Sequence, residues 1–416
     1  MHVADIRTYD PLSISELSFW STTAEEREKV FGVLRAERPL SWHAPMQGGL
    51  LVPEVDGVWA ATSHELIRAV SLDPATYSSA QGVTMEDMPE DLVEAASSFL
   101  GMDDPKHKRI RRLVSSAFTP KRVALIHDQI RAQASAIVDG LIEAGGGNFV
   151  ELVSKRLPMW TVYEMLGLEE SLRKDAAAAA EEMVAWNDED VANGRQPMEL
   201  LNGALVTLLS MGMEFAARRR LEPRDDLMTA LVNAEIDGTG LTDDEIAAFF
   251  VLLSVAGNDT TRNTTTLSIK ALSDYPAQRE LLLSDFDAHI GTAVEEFIRF
   301  ASPVMTFRRT VTRDTVLAGH ELREGDWVVL VYSSGNRDES VFVNPHELDI
   351  TRDPNPHQGF GGGGAHYCLG NFVAKMQIRE IIDQLLHRAP GLTVGEPEFL
   401  QGCLVRSVKS MPCSIN

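Results

Sequence analysis

Apolar positions recur at helical spacing through most of the middle of the chain. Between about residues 85 and 300 this pattern predicts successive helices, including the alanine-rich stretch Ser171–Trp186 and the apolar stretch Leu200–Phe215. Strand patterns are few, and they are found at Gly49–Val55, Val58–Thr62 and Trp327–Tyr332. The chain is therefore expected to be mainly helical with a small β part.

One predicted helix is longer than the others and has an unusual centre. It runs from about Thr242 to Ser273, and Thr242 with Glu245 has the pattern of a capping box at its start. At about 1.5 Å per residue it would span about 45 Å, enough to cross a large domain. Its centre reads GNDTT at residues 257–261, where glycine and threonine disfavour a helix. A weak point in a long core helix is a candidate functional site.

The periodic pattern stops after Asn336, and the chain stays rich in proline and glycine up to Gly364. A loop longer than about 15 residues without secondary structure is usually functional or disordered. A helical pattern resumes at Leu369–His387. Because no repeat and no linker divides the chain, we expect one domain over residues 1–416.

Charge and composition exclude several classes of protein. The chain has 38 Lys+Arg against 61 Asp+Glu, a net charge of −23, which disfavours general nucleic-acid binding because phosphate attraction needs a positive surface. The first residues, MHVADIRTYDPLSISELSFW, lack the basic and apolar regions of a signal peptide. No stretch approaches about 18 consecutive apolar residues. We therefore expect a soluble cytoplasmic protein without a membrane anchor.

The three cysteines are too few for a disulfide framework, and one of them lies in an unusual loop. Cys368 lies near the end of the glycine-rich segment FGGGGAHYCLG at residues 360–370. The glycines free the backbone for positive φ angles and for close approach to a flat partner. A cysteine just before a helix is favoured as a thiolate, which suits a soft metal or nucleophilic catalysis. The alternative is a buried inert cysteine, which is our interpretation of Cys403 and Cys413.

Three motifs follow one another along the chain: the AGNDTT segment at residues 256–261, the Glu296-x-x-Arg299 pair and the cysteine loop. Together, and in this order, they resemble the motifs of cytochrome P-450, the haem-thiolate monooxygenases. The resemblance covers nearly the whole chain. It implies a mainly α fold with a small β part (α+β), in one triangular domain with haem buried between the long central helix and the cysteine-loop helix. It also implies haem b (iron protoporphyrin IX) as cofactor, with Cys368 as the axial iron ligand.

The same resemblance assigns haem contacts and a structural ion pair. Glu296 and Arg299 would form a buried pair joined by Arg352, for which a surface pair is the alternative. Phe360 stands eight residues before Cys368, one more than is usual in the family, which leaves open what packs over the thiolate. The residues expected to bind the cofactor are His107, Arg111, Ala256, Gly257, Arg309, Phe360, Gly361, His366, Cys368 and Gly370.

Asp259 and Thr260 match the acid–alcohol pair with which the family delivers protons for the cleavage of dioxygen. Gly257 would leave room there for dioxygen and substrate. Since adjacent helical residues lie about 100° apart, we expect Thr260 to face the haem and Asp259 an interior water path. A kinked core helix is the alternative interpretation.

The substrate pocket is expected to be apolar and to take a hydrophobic small molecule. By resemblance it draws on loop residues 81–100 and on Leu252, Ala256, Val304, Met305, Leu404 and Val405. The extra glycine and the AGNDTTRN segment resemble a bacterial subgroup that acts on branched-chain lipids, terpenoids and steroid side chains. Analogy of this kind does not fix a substrate.

The resemblance implies a monomeric enzyme that inserts one atom of O2 into its substrate, with electrons from NAD(P)H through ferredoxin reductase and ferredoxin. These carriers are separate proteins, because three scattered cysteines cannot ligate an iron–sulfur cluster. In the basic segment at residues 106–112, Lys108, Arg109 and Arg112 are expected to face outward and dock an acidic partner. Two alternatives stay open: a haem-thiolate peroxygenase or oxidative-coupling enzyme, and a haem-binding sensor without turnover.

Overall fold

A computed structural model describes residues 7–51, 53–115, 118, 124, 126–236 and 238–415. Helices dominate this part of the chain, which confirms the predicted fold class. The α-helices are Leu17–Trp20, Ala24–Glu37, His64–Leu72, Glu90–Ser97, Lys106–Ser115, His127–Ala144, Arg156–Leu166, Glu170–Val184, Glu189–Ala192, Pro197–Leu221, Leu227–Val232, Asp243–Asp274, Pro276–Ser284, Phe286–Ala301, Tyr332–Gly335 and Asn371–Arg388. Ser98–Gly101 is a 3₁₀ helix and Val150–Ser154 a π-helical turn.

The helix Asp243–Asp274, here called the long helix, has 32 residues. The predicted capping box is present, because the Thr242 hydroxyl accepts from the Glu245 N–H at 3.1 Å and the Glu245 carboxylate accepts from the Thr242 N–H at 3.0 Å. The long helix packs against the helices Arg156–Leu166 and Pro197–Leu221 and is buried along most of its length. It therefore forms the central support of the fold.

The strands are short, and most of them come before or after the helical middle of the chain. They are β1 (Leu40–His43), β2 (Val58–Ala61), β3 (Tyr77–Ser78), β4 (Gly146–Asn148), β5 (Glu235–Ile236), β6 (Thr239–Gly240), β7 (Thr306–Val311), β8 (Thr315–Leu317), β9 (His320–Leu322), β10 (Trp327–Val331), β11 (Leu392–Val394), β12 (Glu398–Phe399), β13 (Val408–Ser410) and β14 (Pro412–Ile415). The largest sheet has the order β1-β2-β10-β7-β3, in which only β2 and β10 are parallel. All five residues of β10 are buried, which explains its unbroken apolar sequence.

The predicted strand at Gly49–Val55 is wrong. The described residues of this stretch form no strand, and Leu51 makes a single bridge to Asp87. Gly48 has a φ of +81°, and Pro53 has no N–H to donate, so a regular ladder is interrupted on both sides.

One helix of the described residues passes a simple test for a membrane span. By length and composition alone, Pro197–Leu221 is long and apolar enough to cross a membrane. However, 44% of its most apolar window is buried inside the protein, where it packs on the long helix and on Glu170–Val184. A buried core helix has the same apolar composition.

A buried carboxylate fixes the irregular loop that leads to the cysteine. Glu296 receives two hydrogen bonds of 2.7 Å from Arg299, and both side chains are fully buried. Arg352 Nε and Asn355 Nδ2 also donate to Glu296, at 3.1 and 3.0 Å. The Asp349 N–H donates to it at 3.0 Å. The structure therefore forms the buried network and not the alternative surface pair.

Candidate active site

A cavity lies between the long helix and the cysteine loop, and nearly all of its wall is apolar. The long helix contributes Leu252, Ala256, Gly257 and Thr260, and the cysteine loop contributes Phe360, Gly361 and His366 together with Cys368 and Gly370. Arg111 and Arg309 bring positive charge to the same wall. Most of the residues that the resemblance assigned to cofactor binding are thus brought together in one place.

The cysteine loop closes on itself through its backbone. The Cys368 N–H donates to the Phe360 carbonyl at 3.0 Å, and the Asn371 side chain donates to the Cys368 carbonyl at 2.8 Å. The following helix begins at Asn371, with Gly370 as its N-cap. The Phe360 ring lies 5.2 Å from the ammonium of Lys375. Despite the extra glycine, Phe360 is therefore the loop residue whose backbone holds the cysteine.

The glycines of this loop are needed mainly for contact with a neighbouring helix. Gly361, Gly363 and Gly364 have φ angles of +100°, +97° and +76°. A Cβ on Gly362 would lie 2.3 Å from the Ser71 hydroxyl, and one on Gly364 would lie 2.5 Å from the Ser71 carbonyl. Two of the glycines therefore allow the loop to approach the backbone of another helix, a reason that the sequence did not show.

The pKa shift of Cys368 is opposite to the one expected for a cysteine just before a helix. Burial raises the pKa of the Cys368 thiol, and the Gly370 N–H and the charges of Arg111 and Lys375 only oppose this effect. The position before a helix is thus insufficient to keep the free residue as a thiolate. A bound metal cation removes the proton from a coordinating thiol directly.

A group of cations and imidazoles at the cavity edge includes two ring nitrogens without hydrogen-bond partners. The rings of His107 and His366 lie 4.3 Å apart, and the buried atoms His107 Nε2 and His366 Nδ1 have no hydrogen-bond partner. Burial, followed by the charges of Arg309, His107 and Arg111, lowers the pKa of His366 to about 3. Arg309 is buried and forms no ion pair with a carboxylate of the described residues; its Nη1 donates to the Arg308 carbonyl at 2.7 Å. An anion bound here would compensate the buried charge of Arg309.

Arg111 and His107 were both expected to bind the cofactor, and only Arg111 lies in the cavity wall. Arg111 donates to the Tyr367 carbonyl, and its guanidinium lies 5.7 Å from the Phe99 ring. The His107 ring instead contacts the ring of His366, which does line the cavity.

The centre of the long helix presents two different surfaces. Thr260 lines the cavity, and its hydroxyl donates to the Ala256 carbonyl at 3.0 Å. Asp259 lies outside this wall and is buried, with a hydrogen bond of 2.7 Å from Ser407 and an ion pair of 3.1 Å with Arg262. The two side chains therefore have the orientations that helix geometry predicted.

Asp259 and Arg262 line a second, more polar cavity beside the helices Arg156–Leu166 and Glu170–Val184. Arg262 Nη1 lies 3.7 Å from a carboxylate oxygen of Glu181. Sequence reasoning missed both Arg262 and Ser407. Arg262 lies one helical turn after Asp259 and was visible as part of the AGNDTTRN segment, whereas Ser407 gave no signal.

Gly257 lines the cavity and also lies close to a neighbouring helix. A Cβ on Gly257 would lie 2.7 Å from Val162 Cγ2 on the neighbouring helix, well inside van der Waals contact. The glycine therefore permits close packing of the long helix against Arg156–Leu166.

The predicted substrate pocket is partly wrong. Leu252 and Val304 line the cavity, but Met305, Leu404 and Val405 do not belong to the wall as described. Met305 is buried in the core, and its N–H donates to the Leu404 carbonyl at 2.8 Å. Val405 forms a β-bridge with Val304. Met305, Leu404 and Val405 therefore belong to the layer of the protein that packs against the cavity wall.

Three phenylalanines form a part of the wall, and of these the sequence analysis included Phe99, within loop 81–100, but neither Phe118 nor Phe249. Phe99 stacks on Phe249 with 6.0 Å between ring centroids, and Phe118 meets Phe249 edge-on at 6.2 Å. All three line the cavity. Phe99 and Leu100 confirm that the end of loop 81–100 reaches the cavity.

The basic helix Lys106–Ser115 offers fewer free cations than expected. Arg109 is paired with Glu245, the capping residue of the long helix, so its charge is already partly compensated within the protein. Lys108 and Arg112 are exposed and form no ion pair with any described residue. Tyr367 and Phe372 of the cysteine loop and its helix are also exposed, at 38% and 57%.

The donor set fits a haem. A single cysteine sulfur lies in the wall of an apolar cavity whose edge carries Arg111 and Arg309, cations suited to carboxylates. With the mainly helical fold, these features define a haem-thiolate protein. Residues 151–389 match the family model "Cytochrome P450". The chain belongs to the cytochrome P450 family, and it is a haem-dependent monooxygenase of that family.

Relatives of known function and structure match almost the whole chain. It is 38% identical to the methyl-branched lipid omega-hydroxylase of Mycobacterium tuberculosis, over 96% of this chain and 94% of that protein. It is 36% identical to the steroid C26-monooxygenase of Mycolicibacterium smegmatis, over 90% of this chain and 87% of the relative. The Mycobacterium marinum cytochrome P450 CYP268A2, solved in complex with pseudoionone, is 48% identical with a TM-score of 0.95, over 99% of this chain and 100% of that one.

Proposed function

We propose that this enzyme inserts one oxygen atom from O2 into a methyl-branched lipid, a terpenoid-like chain or a steroid side chain. The apolar cavity with its three phenylalanines carries this proposal, because it offers few groups to a polar substrate. The names of the relatives support the same substrate range, since they include a branched-lipid hydroxylase, a steroid monooxygenase and a pseudoionone complex.

The proposed cofactor is haem b, with Cys368 as its axial ligand and Arg309, His366 and Arg111 near its carboxylates. When bound, the haem supplies the iron at which dioxygen is activated. The protein holds the sulfur through the Cys368–Phe360 backbone hydrogen bond. Its apolar wall excludes water from the substrate side, which prevents loss of protons and electrons to side reactions.

Thr260 and Asp259 are the proposed proton-handling residues. The Thr260 hydroxyl is the group of this pair that lines the cavity; its O–H donates to the Ala256 carbonyl, and its oxygen presents an acceptor there. Asp259 lies beside the second cavity, where its carboxylate is held by Ser407 and Arg262. We propose that water in the second cavity supplies protons to Asp259 and that Thr260 passes them to the active site.

Electrons are proposed to arrive from NAD(P)H through ferredoxin reductase and ferredoxin. Lys108 and Arg112 form the charged part of the proposed docking surface, and the exposed rings of Tyr367 and Phe372 form its apolar part. Cations with no internal partner on a protein of charge −23 support an acidic partner. We also propose that the chain acts as a single-domain cytoplasmic monomer over residues 1–416.

The axial ligand is tested by the spectrum of the reduced carbon monoxide complex. The wild type is expected to show the long-wavelength Soret band of thiolate haem, and Cys368→Ser should lose it. Cys403→Ser and Cys413→Ser are matched controls, because both cysteines are buried elsewhere in the protein. Loss of the band in a control variant, with retention in Cys368→Ser, would overturn the assignment.

The reaction is tested with substrates chosen by spectral titration. Fatty acids with methyl branches, terpenoids and sterols are screened for a blue shift of the Soret band, which reports displacement of water from the iron. Product is then measured with ferredoxin and its reductase, and separately with peroxide alone. Product only with the electron-transfer proteins supports the proposal. Efficient product formation with peroxide alone would identify a peroxygenase.

A further inference from the structure

Glu295 stands beside Glu296 on the helix Phe286–Ala301 and contacts a different part of the cysteine loop. Its carboxylate accepts from Lys375 Nζ at 2.5 Å and from His357 Nε2 at 2.9 Å. His357 lies in the loop before the cysteine, and Lys375 lies on the helix after it. These three residues, here called the Lys375 group, therefore connect both ends of the cysteine loop through one carboxylate.

On the side before the cysteine, the group is fixed by the His357 ring. The Gly359 N–H donates to His357 Nδ1 at 3.1 Å, so this nitrogen carries no proton and the ring is neutral. His357 Nε2 is then the donor to Glu295. The His357 ring also lies 5.8 Å from the Phe360 ring. Among the described residues, Lys375 is therefore the one cation paired with Glu295.

On the side after the cysteine, the group is fixed by the helix Asn371–Arg388. Asn371 and Lys375 are one turn apart and so lie on the same face of this helix. The Asn371 side chain donates to the Cys368 carbonyl at 2.8 Å. Lys375 Nζ lies 5.2 Å from the Phe360 ring, and the Phe360 carbonyl accepts from the Cys368 N–H. The ammonium is therefore held against the loop that carries the sulfur.

Partial burial distinguishes this ion pair from its neighbour on the same two helices. The Lys375 and Glu295 side chains are 30% and 32% exposed. Arg379, one turn further along the helix, pairs with Asp287 at 2.8 Å, but these side chains are 39% and 86% exposed. Burial raises the pKa of Glu295, and the hydrogen bonds from His357 and Lys375 outweigh it, so that the pKa lies below its usual value. Water and salt therefore screen the Lys375 group less than they screen the neighbouring pair.

We propose that the Lys375 ammonium raises the reduction potential of a haem iron bound by Cys368, and that Glu295 and His357 are positioning residues that hold the ammonium. Reduction of ferric to ferrous haem adds one electron from the donor and forms or breaks no bond in this group. The site thereby gains one negative charge, which a nearby cation stabilises. A higher potential makes electron transfer from a ferredoxin more favourable. The inference rests on the proposed function, because it requires a haem ligated by Cys368.

The potential is measured by redox titration of the haem-loaded protein with mediator dyes and without ferredoxin, so that docking does not enter. Lys375→Gln removes the positive charge and should lower the equilibrium constant for reduction about threefold, which is about 28 mV at about 59 mV per tenfold change for one electron. Glu295→Gln removes the negative charge and should raise the potential by a similar amount, while its amide oxygen can still accept from His357 and Lys375. Lys375→Arg keeps the charge and should stay at the wild-type potential.

Opposite shifts in the two test variants separate an electrostatic role from a structural one, since loosening of the loop would move both potentials in the same direction. Arg379→Gln and Asp287→Asn are matched controls, because they make the same charge changes on the same two helices, and both should keep the wild-type potential. Shifts of the same sign, a test variant that does not shift, or equal shifts in the controls would overturn the inference. If Lys375→Gln does not retain haem, Glu295→Gln decides alone: a raised potential supports the inference, and an unchanged or lowered one overturns it.

The carbon monoxide complex of the same reduced samples distinguishes this inference from the proposed function. The wild type and all variants should show the long-wavelength Soret band, because none of the substitutions removes Cys368. A wild type without this band would contradict Cys368 as the ligand and, with it, the proposed function. The band in every sample, together with equal potentials, would overturn the inference alone.

Discussion

Replacing Gly257 by alanine tests whether this glycine serves helix packing or ligand space. An alanine Cβ would lie 2.7 Å from Val162 Cγ2, whereas ordinary contacts begin near 3.4 Å. The helices must therefore move apart by several tenths of an ångström or Val162 must change its conformation. Overpacking of this kind costs about 1–3 kcal/mol. The alanine gains about 1 kcal/mol in helix propensity, so we expect Gly257→Ala to lower the free energy of unfolding by about 0–2 kcal/mol.

The packing explanation makes a sharper prediction for the double variant. Val162→Ala alone removes buried methyl groups and should cost about 1–3 kcal/mol. In Val162→Ala/Gly257→Ala the clash is absent and the new methyl fills part of the space. The double variant should therefore be more stable than the sum of the single effects by about 1–2 kcal/mol, a coupling typical of residues in contact.

The coupling is measured by urea unfolding of the haem-loaded variants, with circular dichroism as the signal. Soret titration with one substrate is run on the same samples. Gly203→Ala is a suitable control, because Gly203 is also helical and a Cβ there meets no atom within 4 Å. If the effects are additive within about 0.5 kcal/mol, the two residues do not interact as described. If Gly257→Ala weakens substrate binding equally with and without Val162→Ala, the glycine serves the ligand and our reasoning is wrong.

Three further predictions concern the ion network, the proton path and the docking surface. Glu296→Gln should destabilise the protein by about 3–5 kcal/mol, because it leaves the Arg299 charge buried without its partner, and a urea midpoint equal to that of the wild type would contradict this. Thr260→Ala should keep haem and substrate binding but lower the product formed per NAD(P)H, since its hydroxyl lines the cavity; full coupling at the wild-type rate would remove Thr260 from the mechanism. Arg112→Glu should slow reduction by ferredoxin in a salt-dependent way. Arg109→Glu should mainly lower the stability of the protein, because Arg109 is paired with Glu245. Equal reduction rates for Arg112→Glu and wild type would exclude Arg112 from docking.

The parts of the site that sequence could predict are those encoded by local patterns. The capping box at Thr242 and Glu245 fixed the start of the long helix to within one residue, because both groups lie in a single turn. The opposite orientations of Asp259 and Thr260 follow from helix geometry alone. The cysteine loop was recognisable for the same reason, since its glycines and Cys368 are contiguous.

The parts that sequence could not predict depend on residues far apart in the chain. Ser407 donates to Asp259 across 148 positions, and no local pattern marks either residue as the other's partner. Gly257 likewise faces Val162 of another helix. The failed strand at Gly49–Val55 shows the same limit, because its apolar pattern was local while strand formation requires a neighbouring edge that accepts the whole ladder.

The position of Cys368 is set by contacts that the cysteine itself does not make. Glu296 binds Arg352 and Asn355 and so fixes the loop at both residues. Three residues after Asn355, the Gln358 N–H donates to the Asn336 side chain at 2.7 Å, which orients the segment that carries Phe360. The Phe360 carbonyl then receives the Cys368 N–H. Because these contacts lead from Glu296 to Cys368, damage at Glu296 should disturb the thiolate ligand, which is seen in the carbon monoxide spectrum of the reduced protein.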